Sequence, residues 1–291
     1  MPELPEVETV RRGLSELIVG KHIARAENDT LKSFPNAPAD VNQFLVSAEI
    51  VAIRRRAKVL MIDLSTDYSL VIHLKMTGQL VYVDKDARFG AGHPNDSLVN
   101  ALPDKSTRVT IEFTDGSKLF FNDQRKFGWV KLMPTVEIPN LPFMKKVGPE
   151  PLELDFTPKQ FANRFTRRGR TNIKAAILDQ SVVAGVGNIY ADESLWGAKI
   201  HPQRLVQTIT AAEFKKLYTE LRQVMNLSIE KGGSSNRNYV NAEGKRGSYM
   251  DFARVFRREG LPCPRCGTTI EKLRVAGRGT HICPYCQIPT V

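Results

Sequence analysis

The positions of the four cysteines constrain the fold of this chain more than any other feature, because all of them follow residue 262. Cys263-Pro-Arg-Cys266 and Cys283-Pro-Tyr-Cys286 are two C-x2-C pairs with sixteen residues between them. This spacing is typical of a zinc ribbon, in which four thiolates close a tetrahedral structural site. Disulfides are the alternative, although an intracellular setting disfavours them, and a thioredoxin-like redox role uses one C-x2-C inside a βαβ unit. We therefore predict one structural Zn²⁺ on Cys263, Cys266, Cys283 and Cys286, whose binding stabilises a short terminal fold.

The charge of the chain bounds the class of partner. It has 42 Lys and Arg against 31 Asp and Glu, a formal net charge of +11. Such a surplus favours a polyanion, most often nucleic acid and occasionally a membrane surface. No apolar run approaches the ~20 residues that a membrane helix needs, and the acidic N-terminus is unlike a signal peptide. We therefore expect a soluble, cytoplasmic protein. At 291 residues the chain is long enough for two domains, each with its own core.

Residue periodicity divides the chain into a β-rich first part and a helical second part. Apolar residues at helical spacing predict a helix over 5–19, with Gly20 as its end. From about 22 to 134, short β-branched or alternating runs predict strands, and Thr114-Asp115-Gly116 is typical of a hairpin turn. We expect an antiparallel sandwich of two sheets, with residues 84–107 forming a polar surface loop.

Four prolines between 135 and 156 predict a linker, and the pattern beyond it is helical. Thr210-Ala-Ala-Glu213 is a capping box that opens the longest predicted helix, which ends at Gly232-Gly233. The fold class is therefore α+β, with an N-terminal β-sandwich flanked by helices, a helical domain and a zinc-ribbon β-hairpin finger. The predicted boundaries are 1–134 for the sandwich, 135–156 for the linker, 157–250 for the helical domain and 251–291 for the finger.

The N-terminus holds a candidate nucleophile. Cytosolic processing removes an initiator methionine when a small residue such as proline follows, which leaves the secondary amine of Pro2 beside Glu3 and Glu6. An α-amino group titrates near ~7.7–8.0, so a sizeable fraction is neutral at physiological pH. Such an amine can attack an aldehyde-like carbon and form an iminium. A frayed or capped helix start is the alternative interpretation.

A glycine-rich connection joins two predicted helices in the second part of the chain. Gly185-Val-Gly187-Asn188 leads into a helix, whose first amides and dipole favour an anion. A tight turn without a ligand is the alternative. Beside a zinc ribbon in a basic chain, the segment is typical of a helix–two-turn–helix element that binds DNA.

The chain resembles the bacterial formamidopyrimidine-DNA glycosylases over essentially its whole length. The resemblance rests on Met1-Pro-Glu-Leu-Pro-Glu-Val-Glu-Thr-Val10, on Gly185-Val-Gly-Asn-Ile-Tyr-Ala-Asp-Glu193 and on the terminal C-x2-C-x16-C-x2-C finger, in family order. It implies a monomeric enzyme of the bacterial cytoplasm and nucleoid. Its partner would be double-stranded DNA containing oxidised purines such as 8-oxoguanine and formamidopyrimidines.

The resemblance also implies the chemistry of the site. Pro2 would attack C1′ of the damaged nucleotide, the base would leave, and β- and δ-elimination through the iminium would cleave the abasic strand. Glu3 would act as the general acid and base, and Glu6 would be a second carboxylate of the site. Lys58 at a turn and Arg278 between the cysteine pairs would hold phosphates and assist catalysis.

Further residues would bind the DNA if the resemblance holds. A flipped base leaves a gap that apolar and arginine side chains can fill, and Met76, Arg125 and Phe127 match such a wedge. A core position is the alternative for Met76 and Phe127. The DNA-binding residues that the resemblance implies are His73, Met76, Lys105, Arg108, Arg125, Lys126, Phe127, Asn188 and Tyr239, the last in a polar loop that would close over the base.

Two departures from the family pattern concern DNA binding. Lys105-Ser-Thr-Arg108 stands where the family commonly has Lys-His-x-His, so phosphate contacts of the two histidines would pass to Lys105 or Arg108. The 84–107 excursion is also longer than usual. Two other functions stay open from the residues: a glycosylase of the endonuclease VIII type acting on oxidised pyrimidines, against which Leu4 argues, and a zinc-ribbon protein that binds lesions without cutting.

Overall fold

The computed structural model describes residues 1–234 and 249–289, and the chain divides into two compact units. The first unit comprises Met1–Lys145 and the described part of Ser228–Tyr249. The second comprises Lys146–Leu227 and the described part of Met250–Val291. Within the described residues, every helix is too short or too polar to cross a bilayer.

Helices and strands follow the predicted division of the chain. The helices are α1 (Leu4–Ile18), α2 (Pro38–Phe44), α3 (Pro142–Lys146), α4 (Pro158–Asn163), α5 (Ile173–Leu178), α6 (Asn188–Ala198), α7 (Ala211–Glu230) and α8 (Tyr249–Phe252). The strands are β1 (Ile23–Asn28), β2 (Ile50–Arg56), β3 (Val59–Leu64), β4 (Tyr68–His73), β5 (Gly78–Val83), β6 (Arg88–Gly92), β7 (Thr107–Phe113), β8 (Lys118–Asp123), β9 (Trp129–Pro134), β10 (Glu271–Val275) and β11 (Arg278–Ile282).

Two antiparallel sheets and α1 enclose the core of the first unit. One sheet has the strand order β1-β7-β8-β5-β6 and the other the order β2-β3-β4-β9. Leu60 from one sheet and Phe121 from the other share a single buried cluster with Val10 and Leu14 of α1. Every residue of α1 from Leu4 to Val10 is buried, whereas in the second half of the helix the apolar Leu14 and Ile18 are buried while Arg12 and Glu16 are exposed. The predicted α+β class with N-terminal antiparallel sheets is confirmed.

The prediction of a polar loop over 84–107 is wrong for residues 88–92. Strand β6 pairs antiparallel with β5, and Phe89 and Ala91 enter the core. The sequence pattern did not indicate this strand because the positions between and beside the two core residues are Gly90 and Gly92, which are themselves buried, so the run has no alternation with polar side chains. Helix α1 packs tightly here, since a Cβ on Gly13 would lie 2.2 Å from the Phe89 ring.

Short helices are added to the first unit beyond the predicted strands. Helix α2 begins at Pro38, and its Phe44 stacks on Tyr68 with ring centroids 3.9 Å apart. Residues 135–140, predicted as the start of the linker, form a 3₁₀ turn whose Ile138 is buried against Val59 and Met61. This part of the proline-rich segment is therefore fixed by apolar burial on the sheet.

The second unit joins helices to the finger through one apolar cluster. The predicted capping box is present, because Thr210 N donates to Glu213 at 2.8 Å and Glu213 N to Thr210 Oγ1 at 3.2 Å. Strands β10 and β11 form a hairpin with Val275 opposite Arg278. Trp196 of α6 lies in one buried cluster with Val255, Cys263, Ile270 and Cys283. The finger therefore packs on α6.

Candidate functional site

The N-terminal residues form a closed arrangement at the start of α1. Pro2 is buried and Glu3 is the N-cap residue, 2% exposed, while Met1 is 44% exposed. Glu3 N donates to Glu6 Oε2 at 2.8 Å, and Glu6 N donates to the Glu3 side chain in return. This reciprocal capping satisfies two helix amides that would otherwise lack acceptors. It also holds the side chains of Glu3 and Glu6 together at the start of α1, one and four residues after Pro2.

Glu6 has a second contact that sequence reasoning did not find. Its Oε1 accepts a hydrogen bond from Ser234 N at 2.9 Å. Gly233, with φ +90°, lies directly against the Glu6 side chain, and its N donates to Ser228 O at 2.7 Å. The carboxylate therefore connects the N-terminus to residues 233–234, which follow α7. Tyr239, predicted further along that loop, lies outside the described residues.

Lys58 lies in the tight turn between β2 and β3 and is only 6% exposed. Ala57 before it has φ +52°, and Arg55 Nη1 donates to Ala57 O at 3.1 Å. Arg55 is in turn held by Glu8 of α1 at 3.1 Å. Burial opposes the charge of Glu8, but hydrogen bonds from Arg11 and Arg12 outweigh it and lower the Glu8 pKa to about 2. The lysine turn is therefore braced against α1 by a carboxylate that is ionised at neutral pH.

His73 ends β4 as a neutral imidazole. Burial, with the charges of Lys75 and Lys58, lowers its pKa to about 3. Lys75 N donates to His73 Nδ1 at 3.0 Å, so Nε2 carries the ring hydrogen. A neutral imidazole can donate this hydrogen to a phosphate but brings no positive charge.

The residues predicted to form a wedge lie on two turns of the first unit. Arg125, Lys126 and Phe127 are exposed, and Phe127 presents 46% of its surface. The Arg125 guanidinium lies 4.8 Å from the centroid of the Phe127 ring. Met76 is half-buried on the other turn. An exposed aromatic ring beside a cation is available to a partner, which disfavours the core alternative for Phe127.

Arg108 does not have the predicted position for DNA contact, whereas Lys105 is exposed. Arg108 is 6% exposed, and its Nε donates to Asp123 O at 2.9 Å. Its Nη1 pairs with Asp29, and its Nη2 donates to Lys105 O at 2.6 Å. We therefore correct the prediction for Arg108, because all three guanidinium nitrogens bind groups of the protein itself.

In the second unit, the glycine-rich connection and the finger tip form a second group of predicted site residues. Asn188 is the first residue of α6, and its Nδ2 donates to Gly279 O at 2.9 Å. Arg278 is exposed beside the two-residue turn Ala276-Gly277, in which both residues have positive φ. Such a turn matches the twist of a two-stranded hairpin. The Asn188–Gly279 bond holds the finger tip beside the start of α6.

A buried ion pair that sequence reasoning missed lies beneath this group. Lys174 of α5 and Asp192 of α6 have no exposed side-chain surface, and Nζ pairs with Oδ1 at 2.5 Å. Lys174 Nζ also reaches Thr280 Oγ1 at 2.8 Å, and His281 N donates to Asp192 Oδ2 at 2.9 Å. The pair thus joins both helices to β11. Charged residues within the apolar runs of α5 and α6 were the only sequence signal.

The four cysteines meet in the finger as a metal-binding group. Their Sγ atoms all lie within 4.8 Å of one another, with Cys266 and Cys283 3.4 Å apart and Cys266 and Cys286 3.6 Å apart. A disulfide would need about 2.05 Å, whereas four thiolates at ~2.3 Å from a tetrahedral zinc lie close to these separations. The donor set therefore fits Zn²⁺, with no position left for a substrate.

Three family models match successive parts of the chain. The formamidopyrimidine-DNA glycosylase N-terminal domain matches residues 1–130. The H2TH domain of the same glycosylases matches residues 147–239, and the zinc finger found in FPG and IleRS matches residues 260–288.

Relatives and solved structures match over nearly the full chain. The formamidopyrimidine-DNA glycosylases of Pediococcus pentosaceus and Desulforamulus reducens are 42% and 40% identical, each with 99% of both chains covered. A Lactococcus lactis FPG mutant in complex with Fapy-dG containing DNA has a TM-score of 0.86 at 36% identity, covering 99% of this chain and 100% of that one. The complex of L. lactis Fpg with abasic site containing DNA has a TM-score of 0.85 at 35% identity, covering 98% and 99%.

Proposed function

The chain belongs to the formamidopyrimidine-DNA glycosylase family, and from that premise we propose how its own residues carry out the family's reaction. It is a base-excision repair enzyme that removes oxidised purines from DNA. It is also an AP lyase that cleaves the abasic site left behind. One zinc ion, held by Cys263, Cys266, Cys283 and Cys286, stabilises its finger.

We assign the nucleophile to Pro2, and the observation that carries this assignment is its burial beside the Glu3–Glu6 capping box. After removal of Met1, the nitrogen lone pair attacks C1′ while the C1′–base bond breaks, and the departing base takes up a proton. The proline nitrogen then loses its N–H proton and the sugar ring opens as O4′ takes up a proton, which leaves an iminium between Pro2 and C1′. Loss of the C2′ proton then expels the 3′ phosphate, and loss of the C4′ proton expels the 5′ phosphate.

The two carboxylates have different roles in this proposal. Glu3, next to the nucleophile, transfers the protons that the leaving base and the sugar require. Glu6 is a positioning residue, because its oxygens accept the amides of Glu3 and Ser234. It therefore fixes the N-terminus relative to residues 233–234.

In this proposal, each unit contributes cations and hydrogen-bond donors of its own that bind DNA phosphates. Lys58, Lys105 and Arg278 supply positive charge, whereas His73 and Asn188 donate hydrogen bonds as neutral groups. The remaining Asn188 N–H is suited to a phosphate because its amide carries two hydrogens and one binds Gly279 O. Met76, Arg125 and Phe127, with Lys126 between the last two, fill the gap left by the flipped base. We also infer that the enzyme works in the cytoplasm, at the nucleoid.

Borohydride trapping tests the nucleophile directly. Borohydride reduces an enzyme–DNA iminium to a stable amine, so peptide mass mapping of the adduct identifies the attacking residue. On duplex containing 8-oxoguanine opposite cytosine, we expect the adduct on a peptide that begins at Pro2. The matched control is protein that retains Met1, which has no free Pro2 amine and is expected to give no adduct.

Two results would contradict parts of this proposal. An adduct on a lysine peptide, such as the one that contains Lys58, would exclude Pro2 as the nucleophile. Trapping that occurs on an oxidised-pyrimidine duplex and not on 8-oxoguanine would move the substrate to the endonuclease VIII class.

A further inference from the structure

The turn that carries Arg125 and Phe127 is built around one buried carboxylate. Asp123, at the end of β8, has no exposed surface. Its Oδ1 accepts Arg125 N at 3.1 Å, and its Oδ2 accepts Phe127 N at 2.8 Å and Gly128 N at 2.6 Å. Because three backbone amides of the turn converge on one side chain, this carboxylate determines the shape of the turn.

The same carboxylate joins this turn to the one that carries Met76. The hydroxyl of Thr77, the residue after Met76, donates to Asp123 Oδ1. Thr77 Oγ1 also accepts Arg125 N at 3.0 Å. The two turns that present the predicted wedge are therefore coupled through a Thr77–Asp123 contact, 46 residues apart in sequence.

Asp123 is held in place by the segment where the chain departs from the family pattern. Asp123 N donates to Ser106 O at 2.7 Å, and Arg108 Nε donates to Asp123 O at 2.9 Å. Arg108 is itself paired with Asp29. The buried Arg108 thus holds the backbone of Asp123 by a hydrogen bond. Because its guanidinium is used in this way, Arg108 is not available to DNA.

We propose that Asp123 is the positioning residue of the wedge, with Thr77 and Arg108 as its supports. Asp123 orders the 124–127 turn in the free protein, so that Arg125 and Phe127 already have the conformation in which they insert into DNA. Lys126, with φ +56°, occupies a conformation that a free turn would rarely adopt. Without the contacts of Asp123, the turn would have to be ordered during insertion, and the free-energy cost of this ordering would make insertion less favourable. The inference rests on the proposed wedge function of these residues.

Single-turnover kinetics on two substrates test this role. Asp123→Asn keeps the volume of the side chain but cannot accept all of its amide donors. We expect it to slow excision of 8-oxoguanine opposite cytosine by about tenfold or more, because this step requires extrusion of a stacked base. Cleavage of a preformed abasic site, where no base is stacked, should stay within about twofold of the wild type.

Two further variants keep the test decisive. Thr77→Val replaces only the hydroxyl. It should lower the ratio of the excision rate to the abasic-site cleavage rate in the same direction as Asp123→Asn, but by less. It also provides the test if Asp123→Asn does not fold. Asp115→Asn is the matched control, because Asp115 accepts Ser117 N at 2.9 Å in the turn at the other end of β8. We expect its ratio of rates to equal that of the wild type.

Phe127→Ala separates failure of this inference from failure of the proposed function. If Phe127→Ala slows excision and Asp123→Asn and Thr77→Val do not, the wedge is real and Asp123 does not position it. Equal slowing of both substrates by Asp123→Asn would also overturn the inference, since it would indicate a general structural defect. If Phe127→Ala leaves excision unchanged, the wedge function itself is wrong.

Discussion

At the scale of single residues, the N-terminal residues have a structural role beside the chemical one proposed for them. Glu3 caps α1 and also lies next to the proposed nucleophile, while Glu6 closes the capping box and holds Ser234. Pro2 precedes the N-cap residue Glu3, so its nitrogen is not one of the helix amides that the capping box has to satisfy. The same short segment can therefore start a helix and hold a reactive amine.

Replacement of Glu3 by Gln tests its role in proton transfer. The amide retains an oxygen that can cap the helix but cannot protonate a leaving base. We expect Glu3→Gln to lower the rate of 8-oxoguanine excision about 10²–10⁴-fold, the usual contribution of a general acid. On a preformed abasic site, measured as strand cleavage, the loss should be smaller because no base has to leave. An equal loss on both substrates would argue that Glu3 acts only on the sugar.

His73 should make stability depend on pH. Its pKa is about 3 in the folded protein and 6.5 as a free side chain, because of burial and the charges of Lys75 and Lys58. Between these values the unfolded chain binds a proton that the folded chain does not, so the free energy of unfolding falls as pH falls. From pH 7 to 5 the loss is about 2 kcal/mol. Urea unfolding should show that the free energy of unfolding of His73→Gln falls by about 2 kcal/mol less than that of the wild type between pH 7 and 5.

That pH range separates the effect of His73 from that of Glu8, a carboxylate of the same unit that is paired with arginines. Glu8 has a folded pKa of about 2 against 4.5 as a free side chain, and its stabilisation is lost only as pH falls below 4.5. If His73→Gln and the wild type lose stability equally between pH 7 and 5, the imidazole is not neutral in the folded protein.

At the scale of secondary-structure elements, the Lys174–Asp192 pair decides how the finger meets the helices. Lys174 comes from α5, Asp192 from α6, and both bind β11. A buried pair gives little net stability, but loss of one partner leaves an uncompensated charge. The pair therefore favours one arrangement of three elements over looser alternatives, and so fixes Arg278 and Asn188 in one unit.

Removal of the lysine charge should reveal this dependence. Lys174→Met keeps the length of the side chain but leaves the Asp192 carboxylate buried and without its cation. We expect the free energy of unfolding to fall by about 3–5 kcal/mol, measured by urea denaturation of the zinc-loaded protein. Lys215→Met, at an exposed position of α7, is the control and should change it by less than about 0.5 kcal/mol. A loss for Lys174→Met as small as that of the control would show that the pair is not buried in solution.

At the scale of the whole molecule, the zinc ligands belong to only one of the two compact units, so we expect zinc to stabilise that unit and not the other. Trp129 lies in the first unit and Trp196 in the second, where it shares the apolar cluster of the finger with Cys263 and Cys283. The chain has two tryptophans, so each unit carries its own fluorescent reporter.

Chelation of zinc should therefore affect the two reporters differently. When the metal is removed, the cysteines take up protons and lose the ion that joins them, so the folding free energy that zinc supplies is lost. We expect the Trp196 emission of Trp129→Phe protein to shift to longer wavelength after metal removal, with loss of DNA binding. The Trp129 emission of Trp196→Phe protein should stay unchanged, and readdition of zinc should restore the first signal. A shift of both reporters would show that the β-sandwich unit depends on the metal.

The sequence by itself determined the features that depend on neighbours a few residues away. The capping box at Thr210, the hairpin turn at Asp115-Gly116 and the C-x2-C pairs follow local rules of hydrogen bonding and ligand spacing, and so does the glycine turn before Asn188. Only the tertiary structure decided the rest. Arg108 was predicted on DNA but pairs with Asp29, 79 residues away, and Lys174 binds Thr280 across 106 residues. Whether a charged side chain faces solvent or a buried partner depends on packing between distant segments, which short-range patterns do not encode.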